Sequence, residues 1–219
     1  MLSLAEADQL SETSRAQPLP IVSRLTPEKL ESGLASEIAV VSGFTLTNGY
    51  TTGYEKDWYY DASGGGVFMD LGATLTNCTV AGCQAKALGG GVLAYSGGAL
   101  NNCLIDGNGV APYGNNGGGV YCVYGSVALN NCCIIRNWGV GSGGVNCGGA
   151  CGLTNCTIVG NSASASGSTH AGGVYFASQG TMENCIVYNN GGGDLYSYRS
   201  SLIEYTCSPG LSGSGNITV

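Results

Sequence analysis

One dipeptide constrains this chain more than any other feature. Asn77-Cys78, Asn102-Cys103, Asn131-Cys132, Asn155-Cys156 and Asn184-Cys185 recur at intervals of 25, 29, 24 and 29 residues. Each pair has the same surroundings. An apolar residue stands two before the Asn (Leu75, Leu100, Leu129, Leu153, Met182), and an aliphatic one stands two after the Cys (Val80, Ile105, Ile134, Ile158, Val187). A second Asn follows five after the Cys in four units (Asn108, Asn137, Asn161, Asn190), with Cys83 as the exception. A glycine block recurs out of phase: Gly64-Gly65-Gly66-Val67, Gly89-Gly90-Gly91-Val92 and Gly117-Gly118-Gly119-Val120, then the shorter Gly143-Gly144-Val145 and Gly172-Gly173-Val174. Gly43-Phe44-Thr45-Leu46-Thr47-Asn48 reads as a degenerate earlier unit with Gly43 in the Cys slot.

Repeats of this length are single supersecondary units. The alternation of apolar residues has a period of two, which marks strands. Three short strands cannot bury an apolar face alone, whereas stacked copies can, and this is the logic of a solenoid. The reading is all-β: a parallel β-helix of about 5–7 coils over residues 40–219, with length variation confined to loops such as 162–171. Rungs about 4.8 Å apart put identical positions into columns. Cys78, Cys103, Cys132, Cys156 and Cys185 form an inward ladder of small apolar side chains. Asn77, Asn102, Asn131, Asn155 and Asn184 form a second ladder at a bend, since Asn tolerates the left-handed backbone region. In-register Cβ atoms about 4.8 Å apart are wider than a disulfide prefers, so the ladder thiols are expected to be free. Cys147 and Cys151 pair as a disulfide or pack as two thiols, and Cys133 faces outward in the same register. The Asn-x-Thr sequons at Asn77 and Asn155 lie in the ladder and are expected to be inaccessible to glycosylation.

Residues 1–39 lack the repeat. Thr26 followed by Pro27 reads as a helix start. Leu30, Leu34 and Ile38 then share a face, giving a short helix that caps the first coil or docks on a partner. The first six residues lack the basic and apolar regions of a signal peptide.

Composition excludes several classes. The net charge is −7 with only seven basic residues, scattered along the chain, so nucleic acid is not an expected partner. No apolar run approaches the ~18 residues of a membrane-spanning helix. Thr76, Thr79, Thr154 and Thr157 cover only two coils, too few for an ice-binding face.

The units Leu-x-Asn-Cys-x-Ile-x-x-Asn and Gly-Gly-Gly-Val-Tyr resemble those of right-handed parallel β-helix proteins of the pectate-lyase-like superfamily. They are similar to repeats of bacterial secreted or surface proteins of the choice-of-anchor and polymorphic-membrane-protein-like kinds. The resemblance covers roughly 40–219. It implies an extracellular or cell-surface setting, and it places any chemistry on the outer face of the strand after the glycines. Alternation puts Val67 and Met69 inward there, and puts Phe68, Asp70, Leu93, Tyr95, Tyr121, Asn146 and Tyr175 outward. That face is largely neutral and aromatic. Phe68, Tyr95, Tyr121 and Tyr175 are therefore candidates for stacking on sugar rings.

Catalytic candidates are sparse. Glycoside hydrolysis needs two carboxylates facing one cleft, but Asp70 and Asp106 fall on different strands of different coils. A calcium-dependent lyase needs clustered carboxylates and a basic residue. His170, the sole histidine, and Arg136 are the remaining acid–base candidates. Neither a cofactor nor a metal site is expected: Cys147 and Cys151 have tolerable ligand spacing, but no second pair follows. Three functions remain open. The favoured one is a non-catalytic structural or adhesin-like module, self-associating end to end or through residues 1–39. The others are a polysaccharide-binding module and a polysaccharide lyase or hydrolase, the last by fold analogy alone.

Overall fold

The computed structural model describes residues 23–25, 39–52, 62–110, 117–164, 170–199, 201–211 and 213–218. Among these residues every regular element is a strand, and all strand pairs are parallel. The chain winds into a solenoid of five full turns. The first spans Val67–Met69, Thr74–Thr76, Thr79–Ala81 and Gln84–Ala85. The second repeats this path as Val92–Asn101, Leu104–Asp106 and Gly109–Val110. Equivalent strands stack into sheets of 12, six and four strands. In the second and third turns, the glycine-led strand and the Leu-x-Asn strand merge into single strands, Val92–Asn101 and Val120–Asn130. The two-residue strands of the third face were not anticipated from sequence.

The helix expected over residues 26–38 lies outside the described residues. The described segment before residue 39 is a strand, Ser23–Leu25, which pairs with Val67–Met69. No helical cap is present among the described residues. An added strand satisfies the edge amides and carbonyls directly, which a helix laid over that edge does not.

Two left-handed corners shape each turn. The first is the Asn of the repeated dipeptide, with φ from +52° to +54° in all five copies. The second comes five residues later at Gly82, Gly107, Arg136, Gly160 and Asn189, again with positive φ. Between these corners lie the x-Ile-x strands, with Val80, Ile105, Ile134, Ile158 and Val187 fully buried beside the Leu column. Full burial of one such side chain contributes about 2 kcal/mol.

The Cys slot is more specific than a small apolar position. Each ladder thiol points at two carbonyls. Cys103 Sγ lies 3.3 Å from Asn101 O in its own turn and 3.5 Å from Leu75 O in the turn before. Cys132, Cys156 and Cys185 repeat both contacts. From the first full turn onward the slot therefore holds a small side chain that carries a donor, while Phe44, at the exposed edge before it, does not obey the rule. Thr206 confirms this, since it occupies the slot one turn after Cys185 and donates its hydroxyl to Glu204 O. One residue of register needs correction at the other end. Thr45 pairs with Thr79, which places Gly43 in the Asn slot and Phe44 in the Cys slot.

The second Asn of each unit points into the core. Asn137 Nδ2 donates to Ile105 O at 2.9 Å and to Asn161 Oδ1 at 3.0 Å. Its Oδ1 accepts from the Asn108 backbone amide at 2.8 Å and from Asn108 Nδ2 at 3.0 Å. Asn108 and Asn161 repeat the pattern, and Asp194 Oδ1 closes the column by accepting from Asn190. Cys83 heads this column, donating its backbone amide to Asn108 Oδ1.

The three glycines of a full block do different work, as the second block shows. Gly89 needs its positive φ of +61°. A Cβ on Gly90 would lie 2.1 Å from Gly109 O, so the chain presses against the third face there. A Cβ on Gly91 would meet the Asn108 amide at 3.0 Å.

Candidate functional site

The outer face of the glycine-led strands carries the column read from sequence: Phe68, Leu93, Tyr121, Asn146 and Tyr175 are register partners in successive turns, and Tyr196 extends the column by one more. The column is not uniformly open. Phe68 is 3 % exposed and Leu93 is buried, both packed with Ala62, Ala87 and Leu88 in a second apolar cluster outside the coil. Phe68 is therefore not available to a sugar ring. The cover comes from the stretches just ahead of the first two glycine blocks, which alternation along the strands does not reach. Asn146 is buried as well, and it separates the remaining aromatics into two groups.

The first group stands over the covered cluster. Tyr95 stacks on Phe68 with centroids 6.1 Å apart, and Tyr124 meets Tyr95 edge-on at 5.3 Å. Tyr121 and Val123 flank them, half-buried. Tyr124 is 61 % exposed and forms the outer rim. The second group is nearer the C-terminus. Tyr175 and Tyr196 are parallel, 5.6 Å apart, with Tyr198 beyond them and Arg199 over the Tyr198 ring at 5.7 Å. Burial, with Tyr196 and Tyr198 as neighbours, raises the Tyr175 hydroxyl above its ordinary pKa. Sequence reading missed Tyr124, Tyr196 and Tyr198. The signal for Tyr196 was present in Gly191-Gly192-Gly193, a glycine block displaced by one residue, Asp194, from the following strand. Beside the aromatic face, an open trough of about 410 Å³ follows the Leu-x-Asn strands. Its floor is the small-residue column Ala128, Gly152 and Thr181, and it ends at Leu202.

The acid–base candidates are not brought together. Arg136 sits at the left-handed corner of the third turn, and its guanidinium is engaged with Asp106 one turn earlier: Nε donates to Oδ1 at 2.8 Å and Nη2 donates to Oδ2. The pair raises the arginine pKa further. Asp70 accepts from the Leu71 amide at the turn after Val67–Met69. His170 lies on the loop entering the fifth turn, next to Ala171. Among the described residues, no group of three or more His, Cys, Asp or Glu is arranged to hold a metal ion.

All eleven cysteines are free. Cys78, Cys103, Cys132, Cys156 and Cys185 are buried as expected, and Cys133 is half-buried, raised in pKa first by burial and then by Asp106. Cys147 and Cys151 are two packed thiols, joined by a third that sequence reading did not connect to them: Cys122 Sγ lies 3.6 Å from Cys151 Sγ. Burial, then the bond to Cys122, pushes the Cys147 thiol well up. The bonds to Cys122 and Cys147, then burial, do the same for Cys151.

The outer Asn ladder needs one correction. Asn102 Nδ2 donates to Asn77 Oδ1, Asn131 Nδ2 to Asn102 Oδ1 and Asn155 Nδ2 to Asn131 Oδ1, at 3.0–3.1 Å. These side chains are nevertheless exposed, Asn77 and Asn155 included, because the left-handed corner turns them outward.

No curated protein and no solved structure matches the chain. The family model described as "Right handed beta helix region" matches residues 42–208. That match spans the stacked turns, both aromatic groups and the buried Asn and Cys columns, and the chain belongs to the right-handed β-helix family.

Proposed function

We propose that this chain is a non-catalytic, adhesin-like structural module of a secreted or cell-surface protein. The observation that carries the reading is how the polar side chains are spent. The buried Asn and Cys columns are committed to bonds between turns, Arg136 and Asp106 are spent on each other, and Asp70 and His170 lie on other turns of the chain. The likeness to pectate-lyase-like and polymorphic-membrane-protein-like repeats supports a setting outside the cell.

A second reading has its own support. The Tyr95, Tyr121 and Tyr124 group offers aromatic area of the kind that stacks on sugar rings, with an open trough beside it. Both readings meet in one experiment. The chain is incubated with neutral and acidic polysaccharides, and retention is scored alongside new reducing ends and unsaturated product. The expected outcome is no turnover on any polymer. If sugars are bound, Tyr124→Ala weakens retention by about 2- to 10-fold. Release of product that Arg136→Ala or His170→Ala abolishes would overturn the non-catalytic reading.

A further inference from the structure

Cys122, Cys147 and Cys151 differ from the ladder thiols in what they touch. The ladder thiols neighbour one another too, but each is also bonded to backbone carbonyls, whereas among the described residues these three have only one another as partners. Backbone bonding therefore does not account for a thiol at these slots. Volume does not require it either. The Cys122 slot holds Ala94 in the turn before and Phe176 two turns after, and the Cys151 slot holds Val127 in the turn before.

Their placement favours one pair. Cys122 and Cys147 are in-register partners on adjacent strands, so their Cβ atoms stand wider apart than a disulfide prefers. Cys151 is not in register with Cys122. The Gly148-Gly149 turn folds it back, with both glycine amides bonded to Cys122 O at 2.8 and 3.1 Å. The diagonal approach brings the two sulfurs to 3.6 Å. Cys151 also lines the trough and is 4 % exposed, while Cys122 and Cys147 are sealed.

We propose that Cys122 and Cys151 form an oxidation-dependent staple between the third and fourth turns, with Cys147 as the neighbouring exchange thiol. The oxidant is a small-molecule disulfide. During folding, before the site closes over it, the Cys151 thiolate attacks it, forming a mixed disulfide and expelling one thiolate. Cys122 then attacks the Cys151 sulfur and expels the second. Two protein S–H bonds are lost, one S–S bond is gained, and the oxidant leaves as two thiols carrying both protons. The staple lies at the break in the ladder between these two turns, where pairing stops at Cys122 with Cys147 and resumes at Ser126 with Ala150.

The test is refolding of the full chain in a mixture of reduced and oxidised glutathione, against refolding in dithiothreitol. Free thiols are then alkylated under denaturing conditions, and the peptides are mapped by mass spectrometry. The expected result is one Cys122–Cys151 cross-link, the other nine cysteines alkylated, and a melting temperature raised by roughly 5–10 °C that dithiothreitol reverses. Cys151→Val removes both effects, whereas Cys147→Ala keeps them. If Cys151→Val does not fold by circular dichroism, Cys122→Ala serves the same purpose, since Ala94 fills that slot one turn away. Eleven alkylated cysteines after oxidative refolding, or a bond mapped to another pair, would overturn the proposal.

Discussion

The two asparagines of each unit have opposite relations to water, and substitution separates them. Asn137 is fully buried and makes four side-chain hydrogen bonds. Asn137→Ala strands the Asn108 amide and Ile105 O in the core, where an unmet group costs about 1–3 kcal/mol. Stability should fall by about 3–5 kcal/mol, read as a lower urea midpoint at unchanged slope. Asn102 is an exposed corner with φ of +54°. Asn102→Gly should stay within about 0.5 kcal/mol, because glycine keeps the left-handed backbone at no steric cost. Asn102→Ala should lose about 1–2 kcal/mol. Equal losses at both positions would show that the ladders matter as amide stacks alone and not through burial.

At the scale of the strand and its corners, the glycine block works through close approach more than through freedom of φ. A Cβ on Gly118 would lie 2.1 Å from Trp138 O and 2.7 Å from Gly143 O, both backbone atoms with nowhere to move. Gly107 has positive φ but nothing within 4 Å of its missing Cβ. Gly118→Ala should cost about 3 kcal/mol or more and broaden the unfolding transition, while Gly107→Ala costs about 1–2 kcal/mol. Thermal melts of the two variants decide it. This scale also shows what was legible beforehand. The Asn-Cys spacing and apolar alternation are local properties, so the turns, the inward Leu, Ile and Cys columns and the left-handed Asn corners could be read directly. The second corner was harder to read because Gly82, Gly107, Arg136, Gly160 and Asn189 share a conformation and not an identity. The aromatic face was read only by direction. Cover over Phe68 comes from Ala62, Ala87 and Leu88, just ahead of the glycine blocks and off the alternating strands, and the Cys122–Cys151 contact depends on a turn that brings unequal positions together.

For the whole molecule, the columns mean that each turn is held chiefly by its two neighbours. Asn108 bonds forward to Asn137, Asn137 to Asn161 and Asn161 to Asn190, in an unbroken chain of identical contacts. Such an arrangement is close to one-dimensional, with stability summed over neighbouring interfaces. That makes the rod a mechanical element. Pulled by its two ends, it should pay out one turn at a time, and each turn of 24–29 residues lengthens the tether by about 80–100 Å of extended chain. A force–extension trace should show a short staircase of near-equal steps, and a single large step would mean that the turns yield together.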